Sequence, residues 1–221
     1  MEKLKSHLEE ELSKLKNEIT KMAGMVTTAI EMSIRSLKER NPVLAEKVIA
    51  MDEDVDHMQI KIDNFCLKLL ALYQPAADDL RFITSAMKIN NDLERMADLS
   101  VNIAEASIEL NKEPELKPLI DIPVMAEIAQ EMVKKAISSF INKETASAIA
   151  VRKEDFKVDK LNDQIFRELL TYMIGDPKAI NRAIYLLLVG RNLERIADHS
   201  TNIGEDVVYM VTGRTIAHTK K

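Results

Sequence analysis

Hydrophobic residues recur along this chain at steps of three and four almost from end to end. Val55, Met58, Ile62, Phe65, Leu69 and Leu72 form one such run. Ile83, Met87, Asn90, Leu93, Ala97, Val101, Ala104 and Ile108 form a second with one polar member, and Val151, Val158, Leu161, Ile165, Leu169 and Tyr172 a third. Residues three and four apart are neighbours on a helix surface, so each run describes one apolar stripe. Stripes sustained over many turns are the seams of an antiparallel bundle. The interruptions are few. Asn41-Pro42 joins a capping side chain to a proline at the first helical position, and Gly175-Asp176-Pro177 supplies a stop, a cap and a new start. Gln74-Pro75 and Asn142-Lys143 mark two further breaks. The pattern predicts six helices, at about 3–39, 42–73, 76–111, 123–141, 145–174 and 177–212.

The stretch Lys112 to Pro123 carries three of the six prolines and is the one candidate interdomain linker. The two sets of three helices that it separates are related in sequence. Asp92 to Glu105 aligns with Asn192 to Glu205 at a constant offset of 100, with nine of 14 positions identical. At an offset of 103, Asp52-x-x-Val-Asp56 falls on Asp155-x-x-Val-Asp159, and the core positions Val55, Met58 and Ile62 fall on Val158, Leu161 and Ile165. The expected fold is all-α, with two tandem three-helix bundles at residues 1–112 and 121–215 and a tail at 216–221.

The repeat also duplicates an acidic strip, Glu-Arg-x-Ala-Asp-x-x-x-Asn. Residues four apart on a helix are offset by about 40°, so Glu94, Asp98, Asn102 and Glu105 lie within a wedge of about 80°. Glu194, Asp198, Asn202 and Glu205 repeat the arrangement. Each half adds an Asp pair at i, i+4 on the preceding helix: Asp52 and Asp56, then Asp155 and Asp159. Antiparallel neighbours could bring the two sets of a half together as one oxygen-rich site. A solvated face is the competing explanation, and Arg95 and Arg195 can reach Asp98 and Asp198 at i+3 in its favour. Against it, the strips hold no cation, and the neutral amide recurs in the same place. The donors are hard oxygens, suited to Mg, Mn or Fe, with Zn admissible. Ala97 and Ala197, between the acids, fit close helix packing.

Other chemistry is sparse. Cys66 lies in a core stripe, and a lone cysteine fits a reducing compartment. His57 and His199 follow strip aspartates, but their repeat counterparts are Lys160 and Leu99, so neither is expected as a ligand. No Glu-x-x-His pair, Gly-rich phosphate loop or Cys-x-x-Cys occurs, which argues against a di-iron oxidase and gives no catalytic constellation. At 46% hydrophobic and 30% charged, the 221-residue chain reads as a folded, water-soluble protein. Its net charge of -5 gives no support for nucleic acid as a partner. It shows no secretory signal core and no apolar run long enough to span a bilayer, so a cytoplasmic location is expected.

The paired strips, with Gln74-Pro-Ala-Ala-Asp-Asp-Leu-Arg81 and Asn192-Leu-Glu-Arg-Ile-Ala-Asp-His199, resemble the PhoU family of phosphate-uptake regulators over nearly the whole chain. The resemblance implies two three-helix bundles with iron, zinc or another metal on their surface. Its ligands would be Asp52, Asp56, Glu94 and Asp98 in the first half, and Asp155, Asp159, Glu194 and Asp198 in the second, with Asn102 and Asn202 alongside. It further implies a non-enzymatic, cytoplasmic negative regulator of phosphate uptake and of the phosphate-starvation response. Its partners would be the ATPase subunit of a phosphate ABC transporter and a sensor histidine kinase, and a homodimer is a further expectation. The alternative is an enzyme, a hydrolase or oxidase in which the same acids hold a catalytic ion.

Overall fold

Each helix end has a local cause. Asn41 accepts a hydrogen bond from the Val43 amide at 3.1 Å, and Pro42 takes the first helical position, so α1 (Glu2–Lys38) passes into α2 (Pro42–Tyr73) in three residues. Arg40 sits in the left-handed region at φ 51, from which its guanidinium donates to the carbonyls of Leu110, Asn111 and Glu113. The free carbonyls at the end of α3 (Ala77–Leu110) are thereby satisfied from outside the helix. Gln74 and Lys143 close α2 and α4 (Asp121–Asn142) in left-handed conformations. Asp176 accepts from the Lys178 amide at 2.9 Å and opens a 3-10 turn, Pro177–Ala179, between α5 (Thr145–Gly175) and α6 (Ile180–Thr212). The computed structural model describes residues 2–216, and among them six α-helices and no strand occur. Residues 217–221 of the expected tail lie outside the described residues.

The halves pair through α3 against α6 and α1 against α4, while α2 and α5 lie on the outside, each packed on its own half. Polar contacts fix the antiparallel sense. Arg81 Nε donates to the Met210 carbonyl at 3.0 Å, Lys88 Nζ meets Asp206 Oδ1 at 2.7 Å, and Arg182 Nε approaches Glu113 Oε2 at 3.3 Å. Buried positions repeat with the sequence offsets. Val26, Ile30, Ile34 and Leu37 on α1 correspond to Ala129, Val133, Ile137 and Phe140 on α4, and Leu93, Met96 and Ile103 on α3 to Leu193, Ile196 and Ile203 on α6. One hydrophobic core runs through both halves. The stack of Phe82 on Phe140, 4.8 Å between centroids and 10° from parallel, joins α3 to α4 across the repeat.

Two sequence expectations change in detail. On α2 the buried seam runs Val55, Met58, Ile62, Cys66 and Leu69, with Phe65 half-buried at its edge and Leu72 exposed. The proline-bearing stretch after α3 is not an open spacer. Leu116 and Leu119 pack on the core, and the buried Lys117 pairs with Glu168 of α5, so the connection is strapped to the second half.

The α5 and α6 helices approach closely at Gly204, where an added Cβ would stand 2.8 Å from the Ala148 carbonyl oxygen. The first half carries Ala104 at this position, facing Ala45 with Ala29 and Val48 in a small separate cluster. Gly204→Val is therefore expected to lower stability by about 1–3 kcal/mol. Thermal unfolding followed by circular dichroism should show the loss, and an unchanged midpoint would contradict so close an approach of α5 to α6.

Candidate metal centre

The core leaves α3 and α6 a narrow strip that is not covered by apolar packing, and the strip acids lie there. Glu94 and Asp98 on α3 are half-buried, and α2 brings Asp52 and Asp56 towards them. Burial pushes the Asp52 carboxyl above its ordinary range, and the charges of Asp56, one turn on, and of Asp98, across on α3, push it further. Glu94 is raised for the same reasons. Burial comes first and Asp98 next, with Arg95 opposing, and Asp56 and Asp52 of α2 add to the rise. The second half repeats this set: Glu194 is raised by burial and then by Asp198, Asp159 and Asp155, with Arg191 opposing. The fold thus brings each Asp pair of the outer helix to the Glu–Asp pair of the inner one.

The sites differ in how their oxygens are satisfied. In the first, Asp52 Oδ1 and Glu94 Oε2 are buried without a hydrogen bond among the described residues. Glu94 Oε2 has only the longer ion-pair contact to Arg95 Nε at 3.4 Å, while Arg95 Nη1 donates to Asp98 at 3.0 Å. In the second, Asn162 of α5 donates to Glu194 Oε2 at 3.0 Å. It fits because position 190 is glycine: a Cβ there would lie 2.9 Å from Asn162 Oδ1. In the first half the space at position 190 is filled by Asn90, whose amide donates to the Gln59 carbonyl and to Asp63, both at 2.9 Å. One amide serves each half, from the inner helix in the first and from the outer helix in the second.

Asn102 and Asn202 are exposed. With Glu105 and Glu205 they open onto two clefts beside the α3–α6 contact, one reaching Tyr185, Leu188 and Asn192, the other Lys88, Asp92 and Tyr209. His57 is exposed. His199 has a role that its mismatch with Leu99 concealed, since its Nδ1 lies 2.8 Å from Asp92 Oδ1 and ties α6 to α3. Its partner also lacks an acidic counterpart, because Asn192 stands where the repeat would place Asp92. Two non-repeated residues meeting across the halves are the signal that would have found this pair. Cys66 is buried, and burial pushes its thiol up to about 12, outside the range of a metal-binding thiolate.

The residues present suit a hard cation. Their donors are carboxylate oxygens, two of them buried and without hydrogen bonds in the first site, and the mutual repulsion there would be relieved by positive charge. Among the described residues no three His, Cys, Asp or Glu side chains already converge as a ligand set, so binding would draw these carboxylates together. No described helix is long and apolar enough to cross a membrane.

The PhoU domain matches residues 19–107 and 122–207, one copy in each half. The chain belongs to the PhoU family. It is 44% identical over 190 residues to a phosphate-specific transport system accessory protein PhoU homolog of Aquifex aeolicus, a match covering 86% of each chain. A Thermotoga maritima protein, named homolog 2 of the same accessory protein, is 42% identical over 181 residues, covering 82% of this chain and 77% of that one. The crystal structure of PhoU from Pseudomonas aeruginosa superimposes with a TM-score of 0.89 at 34% identity, over 93% of this chain and 99% of that one. The phosphate transport system regulatory protein PhoU of Streptococcus pneumoniae gives 0.87 at 27% identity, over 95% and 99%. The PhoU repeat therefore begins within α1 and α4 and ends within α3 and α6, which is the unit that the fold duplicates.

The raised carboxyls give a pH prediction for the metal-free chain. Asp52 and Glu94 bind protons more tightly folded than unfolded. Over the range above their ordinary values of 3.8 and 4.5 the folded chain holds the extra proton, so their contribution to stability falls as pH rises. Asp52→Asn combined with Glu94→Gln should raise the melting midpoint in chelator at neutral pH, and the gain should shrink on acidification. A gain that does not depend on pH, or a lower midpoint in the variant, would contradict the crowded-carboxylate account.

Proposed function

We infer that this protein is a non-enzymatic regulator of phosphate uptake that binds metal on its duplicated acidic strips and acts by docking onto partners. The observation that carries the metal part is the pair of buried oxygens, Asp52 Oδ1 and Glu94 Oε2, left without hydrogen bonds among carboxylates from two helices. A buried unpaired carboxylate is costly unless a cation compensates it. Asp52, Asp56, Glu94 and Asp98 would hold the ion in the first half, and Asp155, Asp159, Glu194 and Asp198 in the second. A bound divalent or trivalent ion (Fe, Zn, Mn or Mg) supplies charge neutralisation and ties α2 to α3 and α5 to α6. Asn102 and Asn202 would serve as outer oxygen donors.

The role in phosphate uptake rests on family membership and on relatives named as phosphate-specific transport system accessory proteins. In this reading the chain acts from the cytoplasm, restraining the ATPase subunit of a phosphate ABC transporter and linking it to a sensor histidine kinase. A homodimer is compatible with that role. Regulation is favoured over catalysis because the strips offer carboxylates and amides, with His199 engaged by Asp92 and His57 exposed beside Asp56.

Two measurements test the proposal. Purified protein should retain metal by elemental analysis, and a variant combining Glu94→Gln, Asp98→Asn, Glu194→Gln and Asp198→Asn should lose most of it. Equal metal content would sink the metal part. In phosphate-replete cells, pull-down with the wild type should recover transporter and kinase components, and the variant should recover less. Metal-dependent phosphoester turnover that vanishes in the variant would instead favour an enzyme.

A further inference from the structure

The two acidic strips receive opposite ends of an asparagine amide. Repeat offsets put Asn90 at the position of Gly190, and Gln59 at that of Asn162. In the first half Asn90 is fully buried one turn before Glu94, and its Nδ2 donates to the Gln59 carbonyl and to Asp63, each at 2.9 Å. Both partners only accept, so they use both N–H groups of the amide and fix its orientation. Its Oδ1 is left buried without a hydrogen bond, as are Asp52 Oδ1 and Glu94 Oε2.

In the second half the amide presents its N–H instead. Asn162 of α5 donates from Nδ2 to Glu194 Oε2 at 3.0 Å, and a carboxylate can only be the acceptor there. Its Oδ1 lies over Gly190, where a Cβ would stand 2.9 Å away. An asparagine at position 190 would collide with Asn162 in this pose, so the glycine and the hydrogen bond to Glu194 belong together.

The consequence is electrostatic. Glu94 Oε2 has only the 3.4 Å contact of Arg95, whose side chain is 53% exposed and can turn to solvent. Glu194 Oε2 already faces the positive end of an N–H dipole. A cation there would share that oxygen with the amide or displace it, and a strip whose oxygens are satisfied gains less from positive charge.

We propose that the two halves bind metal unequally, the first strip filling before the second, and that Asn162 is the residue that lowers the affinity of the second. This rests on the reading that the strips are metal sites, and it gives them an order of filling. The opposing expectation is that Asn162 holds Glu194 in the pose a metal needs, in which case its loss would weaken binding about 10–100-fold. The sign of the effect separates the two.

The probe is Mn2+, a hard cation suited to oxygen donors, added to chelator-stripped full-length protein while free Mn2+ is read by electron paramagnetic resonance. Glu194→Gln with Asp198→Asn leaves only the first strip intact, and Glu94→Gln with Asp98→Asn only the second. The chain that keeps the first strip should bind Mn2+ at least about tenfold more tightly than the chain that keeps the second. Asn162→Leu, added to the latter, removes the donor while keeping a branched side chain, and should tighten binding about tenfold. In chelator, Asn162→Leu in the otherwise wild-type chain should still melt cooperatively but at a lower temperature, since Glu194 Oε2 loses its donor, and Mn2+ should restore the midpoint. Equal affinity of the two strips, the reverse order, or weaker binding after Asn162→Leu would overturn the proposal and leave the metal reading standing. Absence of Mn2+ binding by the wild type would also overturn it, and absence of any metal in elemental analysis would remove the metal reading as well.

Discussion

The packing of α3 against α6 is the constraint on which the rest of the molecule depends. Each of these helices meets two helices of its own half as well as the other half, so most of its circumference is buried. Such a helix has little room for charge. Ser100 turns back on the Met96 carbonyl and Ser200 on that of Ile196, while Ser107 meets the Ser36 hydroxyl. Glu94 and Asp98 of α3, and Glu194 and Asp198 of α6, lie on the strip beside α2 or α5, where burial and neighbouring carboxylates raise the proton affinity of Glu94 and Glu194. The candidate metal sites thus follow from the core, which fixes the spacing of the inner and outer helices that carry the facing carboxylates.

The same constraint explains why the halves behave as one body. Two amphipathic three-helix bundles could each be stable alone, but here the face each would show to water is an apolar seam completed by the other. Phe82 on Phe140 and the α1–α4 contact extend that seam beyond α3 and α6. Polar cross-links then set its register. Lys88–Asp206 and Asp92–His199 stand on one side of the pseudo-twofold relation, and their counterparts on the other are Leu188 and Ala106, then Asn192 and Leu99. The paired side is closed by these charge pairs, and the opposite side opens onto the cleft lined by Leu188, Asn102 and Glu105.

Helix count, breaks and repeat offsets were legible in the sequence because apolar periodicity, proline and capping side chains act locally. The facing of Asp52 and Asp56 towards Glu94 and Asp98 was legible because two i, i+4 pairs on adjacent antiparallel helices have few other ways to lie. Less could be read where a side chain's partner is distant in sequence. Asn162 reads as an ordinary polar residue of α5, and only the structure shows it passing over Gly190 to reach Glu194. The burial of Ser85 and Asp92 was equally hidden, because periodicity marks apolar residues and these are polar groups carried inward by a helix enclosed on several sides, whereas Asn90 stood on the α3 stripe already. Leu72 failed in the opposite sense, since a seam position stays buried only where a neighbouring helix covers it.

Divergence between the halves is confined to places where packing permits it. Inner positions keep size and polarity: Leu93 and Leu193, Ile103 and Ile203, Ser100 and Ser200. Substituting one of these without its neighbours would leave a cavity or a clash on both sides of the shared core. Where they do differ, as at Asn90 and Gly190, a second residue compensates, Gln59 in one half and Asn162 in the other. The outer surface is free of that coupling, so Asp63 and Phe166 can occupy equivalent positions at no expense to the core. A duplicated bundle of this kind can keep two metal-suited strips nearly alike while its outer surfaces diverge, because the strips are fixed by the inner helices and the outer surfaces are not.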